Sequence, residues 1–222
     1  MSGELGPGPH TRVRRLPEKA AYDEATVFSI IDAAMLCHVA GVVDSLAVAL
    51  PTLHLRRGRT LYVHANQSNS LLRSVLAAGV ASLSMSVFDG LRLARSGFES
   101  SLAYRSVMVV GATREVVDPA EKRRVLDGFV DAVLPGRASE VRPMRERESN
   151  LTLVVAVDIA EASAKLSAGP TQDSPEDANL DIWSGTVPAR VVYSTPVPDT
   201  NGAMAHDDVA LPDSVRRLLE AQ

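Results

Sequence analysis

Between Val80 and Phe88 the chain reads VASLSMSVF, which places Ala81, Leu83, Met85 and Val87 on one side and Ser82, Ser84 and Ser86 on the other. That period of two is the signature of a strand with one buried and one polar face, and such a strand needs neighbours in a sheet. The neighbours are legible. Leu36 to Val42, Leu46 to Leu50, Thr52 to Leu55 and Thr60 to His64 are short extended runs, parted by the turn-like Asp44-Ser45 and Arg56-Arg57-Gly58-Arg59. Asp89-Gly90 reads as a tight hairpin turn from which Leu91 to Phe98 returns. A longer strand, Tyr104 to Val117, follows the bend at Glu99-Ser100-Ser101, and Gly111 inside it predicts a bulge or the sharp bend of a barrel corner. Leu151 to Ile159 and Ser163 to Ala168 complete a set of eight or nine strands, mostly joined by hairpins. The fold class is mainly β with peripheral helices (α+β), a barrel or strongly curved sheet. A doubly wound parallel sheet is excluded, because strands and helices do not alternate and neither GxGxxG nor GxxxxGK[ST] occurs.

Three helices are marked by their ends and stripes. From Asp23, Val27, Ile30, Ile31 and Ala34 recur at helical spacing, with Glu24 and Asp32 outside. Leu71, Leu72, Val75 and Leu76 form a second stripe, preceded by the small polar run 66–70 and stopped by Gly79. Asp118, Pro119 and Glu121 open a third in N-cap, N1 and capping-box positions, with Val125, Phe129, Val130 and Val133 as its apolar side and Pro135-Gly136 as its end. The start of the second helix has two readings: an ordinary cap, or a cradle of N–H and hydroxyl donors for a phosphate. Residues 1–20, rich in Gly, Pro and Arg, read as an extended arm, and 21–222 as one domain. Within it, about 169–181 reads as a mobile acidic loop, followed by a C-terminal tail with a short closing helix from Asp213.

The 222 residues carry a net charge of −4 with Lys and Arg scattered, which excludes nucleic acid as the main partner. Cys37 is the only cysteine, so neither an intrachain disulfide nor a cysteine metal cluster can form, and a reducing cytoplasm is expected. No run reaches the length of a membrane span, so no membrane partner is expected. The five histidines show no HExxH or comparable spacing, and no GxSxG elbow exists, so neither a zinc site nor a serine nucleophile is expected. His38 and His54, inside alternating strands, read as structural.

The order of several motifs goes further. RRLPEKAAYD, a helix, ALPTLHLRRGRTLYVHANQSNSLLR, FESSLAYRSVMVVG, a Pro-Gly-Arg turn, SAKLSAGP and a Trp-x-Gly-x-x-Pro follow one another from about Arg12 to Leu219. Together they resemble the pyridoxamine 5′-phosphate oxidase-like family of flavin-nucleotide-binding proteins. The resemblance implies an FMN-binding split β-barrel, a homodimer with its cofactor at the subunit interface, and an oxidoreductase acting on a small organic substrate. It places Pro51 and Thr52 along the flavin ring, Asn69 and Ser70 at the phosphate with His64, Ser68, Arg105 and Ser106 nearby, and Lys165 and Trp183 in segments that reach the site. The catalytic residue stays unknown.

The sequence also departs from the pattern. HANQSNS stands where relatives read H-G-S-x-x-S-R, so Ser70 replaces an arginine whose charge-assisted contact is worth roughly 1.5–3 kcal/mol. Glu99, Ser100 and Ala103 stand where His, His and Asn are common. These departures open two alternatives: the same barrel with haem or a deazaflavin, His64 or His54 being the first axial candidates, or a cofactor-free dimer that binds ligands or partners. A structural salt bridge is the competing role for Arg105, an edge-strand charge for Lys165, and cover of the dimer seam for Trp183.

Overall fold

The computed structural model describes residues 3–198 and 210–221. The rest of the expected tail, and Met1 and Ser2 of the arm, lie outside the described residues. The strands are β1 (Ala20–Ala21), β2 (Cys37–Val43), β3 (Leu46–Thr52), β4 (His54–Arg57), β5 (Thr60–Asn66), β6 (Val80–Leu93), β7 (Ser101–Glu115), β8 (Thr152–Asp158), β9 (Glu161–Ser167) and β10 (Gly185–Pro188). The helices are α1 (Glu24–Ala33), α2 (Ser70–Ala78), α3 (Pro119–Val133), α4 (Glu146–Asn150) and α5 (Asp213–Glu220).

All strand pairs are antiparallel, in the order β3-β2-β6-β7-β8-β5-β4, with β9 also on β7, β1 on β9 and β10 on β6. The split lies in β7. Its first part, Tyr104 to Val110, pairs with β9, whereas Thr113 to Glu115 pair with β8. Gly111 sits at the change of partner, and a Cβ there would stand 1.6 Å from the Asp158 carbonyl oxygen. The corner anticipated at this glycine is therefore a close backbone approach that no side chain allows.

Asp89-Gly90 is not a hairpin turn. β6 runs through it, with Phe88 opposite Tyr104 and Gly90 opposite Ala103, so Asp89 is the extra residue of a bulge. Gly90 has φ 147, and a Cβ would meet the Val187 carbonyl of β10 at 2.3 Å. The glycine thus admits the neighbouring strand rather than reversing the chain. Reversal comes between Leu93 and Ser101, where the Ser100 hydroxyl accepts from the Ala94 N–H and donates to the Ser96 carbonyl.

Two apolar clusters flank the sheet. Val27, Ile30 and Ile31 of α1 and Leu71, Leu72 and Val75 of α2 close the barrel against Leu61, Val63, Leu83, Met85, Val107 and Val109. On the other side Val125, Leu126 and Phe129 of α3 pack on Tyr62, Val116, Val154 and Ala156. Each such side chain contributes about 1.5–3 kcal/mol when fully buried. Leu126, not Val133, completes the α3 stripe; Val133 is 54% exposed. Asp118 caps α3 by accepting from the Glu121 N–H, but the Glu121 carboxylate turns to Arg114 and Tyr62 instead of closing a capping box.

The N-terminal arm and the segment after β9 lean on this frame. Leu5 reaches the barrel core and exchanges backbone hydrogen bonds with Tyr22 and Ala162, both 2.9 Å. The 169–181 segment is tied to the β6–β7 turn by Asp173, which accepts from the Arg95 N–H at 2.6 Å and its guanidinium at 2.5 Å. The outward face of β2, β3 and β6 carries Ala40, Val42, Ala47, Ala49, Ser82 and Ser84, and Val42 is 59% exposed. Among the described residues no helix is long and apolar enough to cross a membrane.

Candidate functional site

The turn from β5 into α2 is built by its own side chains. Asn66 Oδ1 accepts from the Ser68 N–H at 3.0 Å and the Ser68 hydroxyl at 2.8 Å, while Asn69 Oδ1 caps α2 by accepting from the Leu72 N–H at 2.9 Å. The cap reading thus describes the geometry, and it leaves Ser70 as the first helical residue. Arg73 does not take the place of a phosphate-pairing arginine there. Its guanidinium donates to Glu115 at 2.9 Å and to the Gln67 carbonyl at 3.0 Å.

Beside this turn lies a cleft of about 100 Å³ that brings together Pro51 and Thr52 of β3, His64 of β5 and Asn69, with Val39, Leu50 and Leu72 as apolar walls. His64 leans on the Phe129 ring, centroids 4.3 Å apart, and its Nδ1 is buried without a hydrogen-bond partner. Burial lowers its pKa, so the ring is neutral at pH 7 and offers nitrogen lone-pair or N–H chemistry rather than charge. A backbone stretch, a hydroxyl, an amide and a neutral imidazole form a mixed set of hydrogen-bond donors and acceptors.

Ser106 and Lys165 form a second group. They face each other across β7 and β9 and line a hollow of about 350 Å³ with His38, Ser84, Ser86 and Val13. Lys165 Nζ donates to the Arg15 carbonyl at 3.3 Å, so the arm crosses the rim of this hollow. Arg105 is engaged elsewhere. Its Nε and Nη2 donate to the two carboxylate oxygens of Asp89 at 2.9 and 2.8 Å, a bidentate pair that raises the Arg105 pKa and lowers that of Asp89. The bulge turns Asp89 toward it. Trp183 joins neither group: it is 66% exposed, beside Gly185 at the start of β10. Ser68 and Ser70 stay at the turn, outside the lining of the cleft.

Two residues bearing on the site escaped the sequence reading. Asp89 was hidden behind its turn-like Asp-Gly pair. His38 was readable from the alternation of buried Cys37 and Val39, which puts it on the outward face between Pro51 and Ser84. His54 Nε2–H donates to the Ile31 carbonyl, 2.8 Å away, and the ring is buried in the wall of a separate cavity of about 230 Å³. The Cys37 thiol is pushed up to about 12 by burial, which makes it an inert core residue. Among the described residues no group of three or more His, Cys, Asp or Glu could hold a metal ion.

Comparison with known proteins gives this geometry its context. The sequence model of the pyridoxamine 5′-phosphate oxidase family matches residues 23–166. The structure of the flavocytochrome Anf3 from Azotobacter vinelandii is 34% identical, with a TM-score of 0.87 over 95% of this chain and 97% of that one. The FAD- and haem-binding protein from Mycobacterium smegmatis is also 34% identical, with a TM-score of 0.82 over 90% of this chain and 97% of that one. A nitroimidazole antibiotic resistance protein from Bacteroides thetaiotaomicron, 19% identical with a TM-score of 0.56 over 66% of this chain and 85% of that one, shares the fold. No curated protein sequence matches.

Proposed function

This chain belongs to the pyridoxamine 5′-phosphate oxidase-like family of flavin-binding split barrels, and from that premise we propose that it is a homodimeric flavocytochrome, an oxidoreductase of small organic substrates. The observation that carries the reading is the cleft in which Pro51, Thr52, His64 and Asn69 meet, the positions where the family resemblance puts the flavin. Haem enters because two proteins 34% identical over nearly the whole chain are a flavocytochrome and a binder of FAD and haem. Bound flavin would supply hydride and single-electron transfer, and haem single-electron and oxygen chemistry.

The chain's own residues would bind and orient. The backbone of Pro51 and Thr52 lies where it can meet the ring's polar edge, and neutral His64 supports it without placing charge beside it. Ser70 cannot replace an arginine at the phosphate. We therefore favour FAD over the FMN that the resemblance implied, because a second nucleotide spreads the binding over more contacts.

One chain encloses only about 100 Å³ at the cleft, too little for a flavin, so a second copy is needed to complete the site. The uncovered face of β2, β3 and β6, with Val42 and Val80 exposed, is where it would pair. Buried Cys37 as the sole cysteine fits a cytoplasmic location. Thr52→Val and Asn69→Ser test the cleft by quenching of flavin fluorescence. Each variant should weaken FAD about fivefold, the worth of one neutral hydrogen bond, while Asn69→Ser keeps the helix cap. Unchanged affinity in both would contradict this placement.

A further inference from the structure

We propose that His38 is the axial haem ligand and that the haem lies on the outward sheet face between the end of α1 and the segment that follows β10; the proposal rests on the reading that this chain carries haem. Cys37 and Val39 are 0% and 1% exposed, so strand alternation turns His38 out of the core. Among the described residues its ring makes no hydrogen bond. Two hollows meet at it, sharing His38 and Ser86: the one beside Lys165, and another of about 400 Å³. The walls of the larger one include Met35, Leu36, Val87, Phe88 and Val191, with Arg190 at its edge. Several of these are apolar side chains left to solvent by this chain, Met35 at 58%, Phe88 at 52% and Val191 at 73% exposure.

This is the donor set that a haem asks for: apolar walls for a flat macrocycle, one imidazole for the iron, and cations for two propionates. Arg190 makes no ion pair among the described residues, and the one partner of Lys165 is a backbone carbonyl. The Arg190 segment is held in place, because β10 pairs with β6 and the Ala189 N–H donates to the Asp89 carbonyl at 3.0 Å.

The other two candidates fit less well. His54 has Nε2 against the Ile31 carbonyl, which leaves Nδ1, where the adjacent Cβ obstructs a macrocycle. His64 is pressed on Phe129 and opens on the cleft assigned to flavin. His38 is also the cross-strand partner of Pro51, and such pairs have Cβ atoms about 4.5–5.5 Å apart. The assignment therefore sets the haem one strand away from the flavin edge.

The test uses the full chain loaded with haemin, comparing wild type with His38→Gln, His54→Gln and His64→Gln by absorption and electron paramagnetic resonance. His38→Gln should lose the imidazole-ligated spectrum and bind haemin at least about tenfold more weakly, since losing a group that only hydrogen-bonds a metal ligand already costs that much. Flavin retention should be unchanged, and added imidazole should restore the spectrum in His38→Gly. A wild-type spectrum in His38→Gln, or its loss in His54→Gln or His64→Gln alone, would overturn the assignment while leaving haem binding intact. Failure of the wild type itself to take up haemin would instead overturn the flavocytochrome reading, and this assignment with it.

Discussion

Replacing Gly111 by alanine tests the corner on which the split of the sheet depends. The new Cβ would stand 1.6 Å from the Asp158 carbonyl oxygen and 2.8 Å from its carbon, both backbone atoms that no rotamer can move. An ordinary C···O contact is about 3.3 Å, so β7 and β8 must part by about 1.7 Å. The pairs that would open are Thr113 with Val157, Arg114 with Ala156 and Glu115 with Val155, which hold the far end of β7 to β8. Losing two net hydrogen bonds there costs about 2 kcal/mol, and overpacking adds about 1–3 kcal/mol. The gain from a stiffer unfolded chain returns about 0.5 kcal/mol. The expected loss is about 3 kcal/mol, a fall in Tm of about 6–12 °C for a chain of this size. Urea denaturation followed by far-ultraviolet circular dichroism measures it, with Gly79→Ala as comparator. Gly79 has φ 71 but open space around it, so that change should cost only about 1 kcal/mol. A Gly111→Ala protein no less stable than Gly79→Ala would refute the close approach and the corner built on it.

Ser70→Arg restores the cation that relatives carry, and flavin affinity should rise by up to about tenfold in a fluorescence titration; an unchanged or weaker affinity counts against a phosphate at the start of α2. Stability should also depend on pH through His54 and His64, whose pKa values burial holds below the ordinary 6.5. The unfolded chain then binds protons more tightly, so stability is complete above that value and falls as pH drops below it. The urea midpoint should be lower at about pH 5.5 than at about pH 7.5, and the His54→Gln, His64→Gln double variant should flatten the difference; an equally steep fall in the double variant contradicts this assignment.

The elements that were legible carry their instructions locally. Asp23, Asn69 and Asp118 cap the helices they precede in sequence, and Gly79 stops α2 with φ 71. The alternation of β6 survives folding because its inward side chains fill one core. What misled was Asp89-Gly90, where a local turn signal gives way to a tertiary demand. Gly90 is needed for the approach of β10, a strand of four mostly exposed residues whose sequence carries no alternating stripe. The same bulge delivers Asp89 to Arg105, a pairing invisible while Asp89 was read in a turn and Arg105 in the strand beyond the one returning from it.

The candidate site divides along the same line. Pro51, Thr52, His64 and Asn69 meet because short local connections, β3 to β4 to β5 to α2, bring them round. Lys165 reaches Ser106 only through the pairing of β9 with β7, a register that no local pattern specifies. His38 looked structural because its strand alternates, yet that alternation is what exposes it. A sheet face left without cover by its own chain becomes evident only once the strand order is known.

The absorption spectrum of the purified chain, after incubation with FAD and haemin together and removal of what stays free, tests the central claim most directly. The account predicts flavin bands and a Soret band at about one of each cofactor per chain, on a protein that migrates as a dimer. A dimer that retains neither cofactor would contradict it and favour a ligand-binding barrel that works without one.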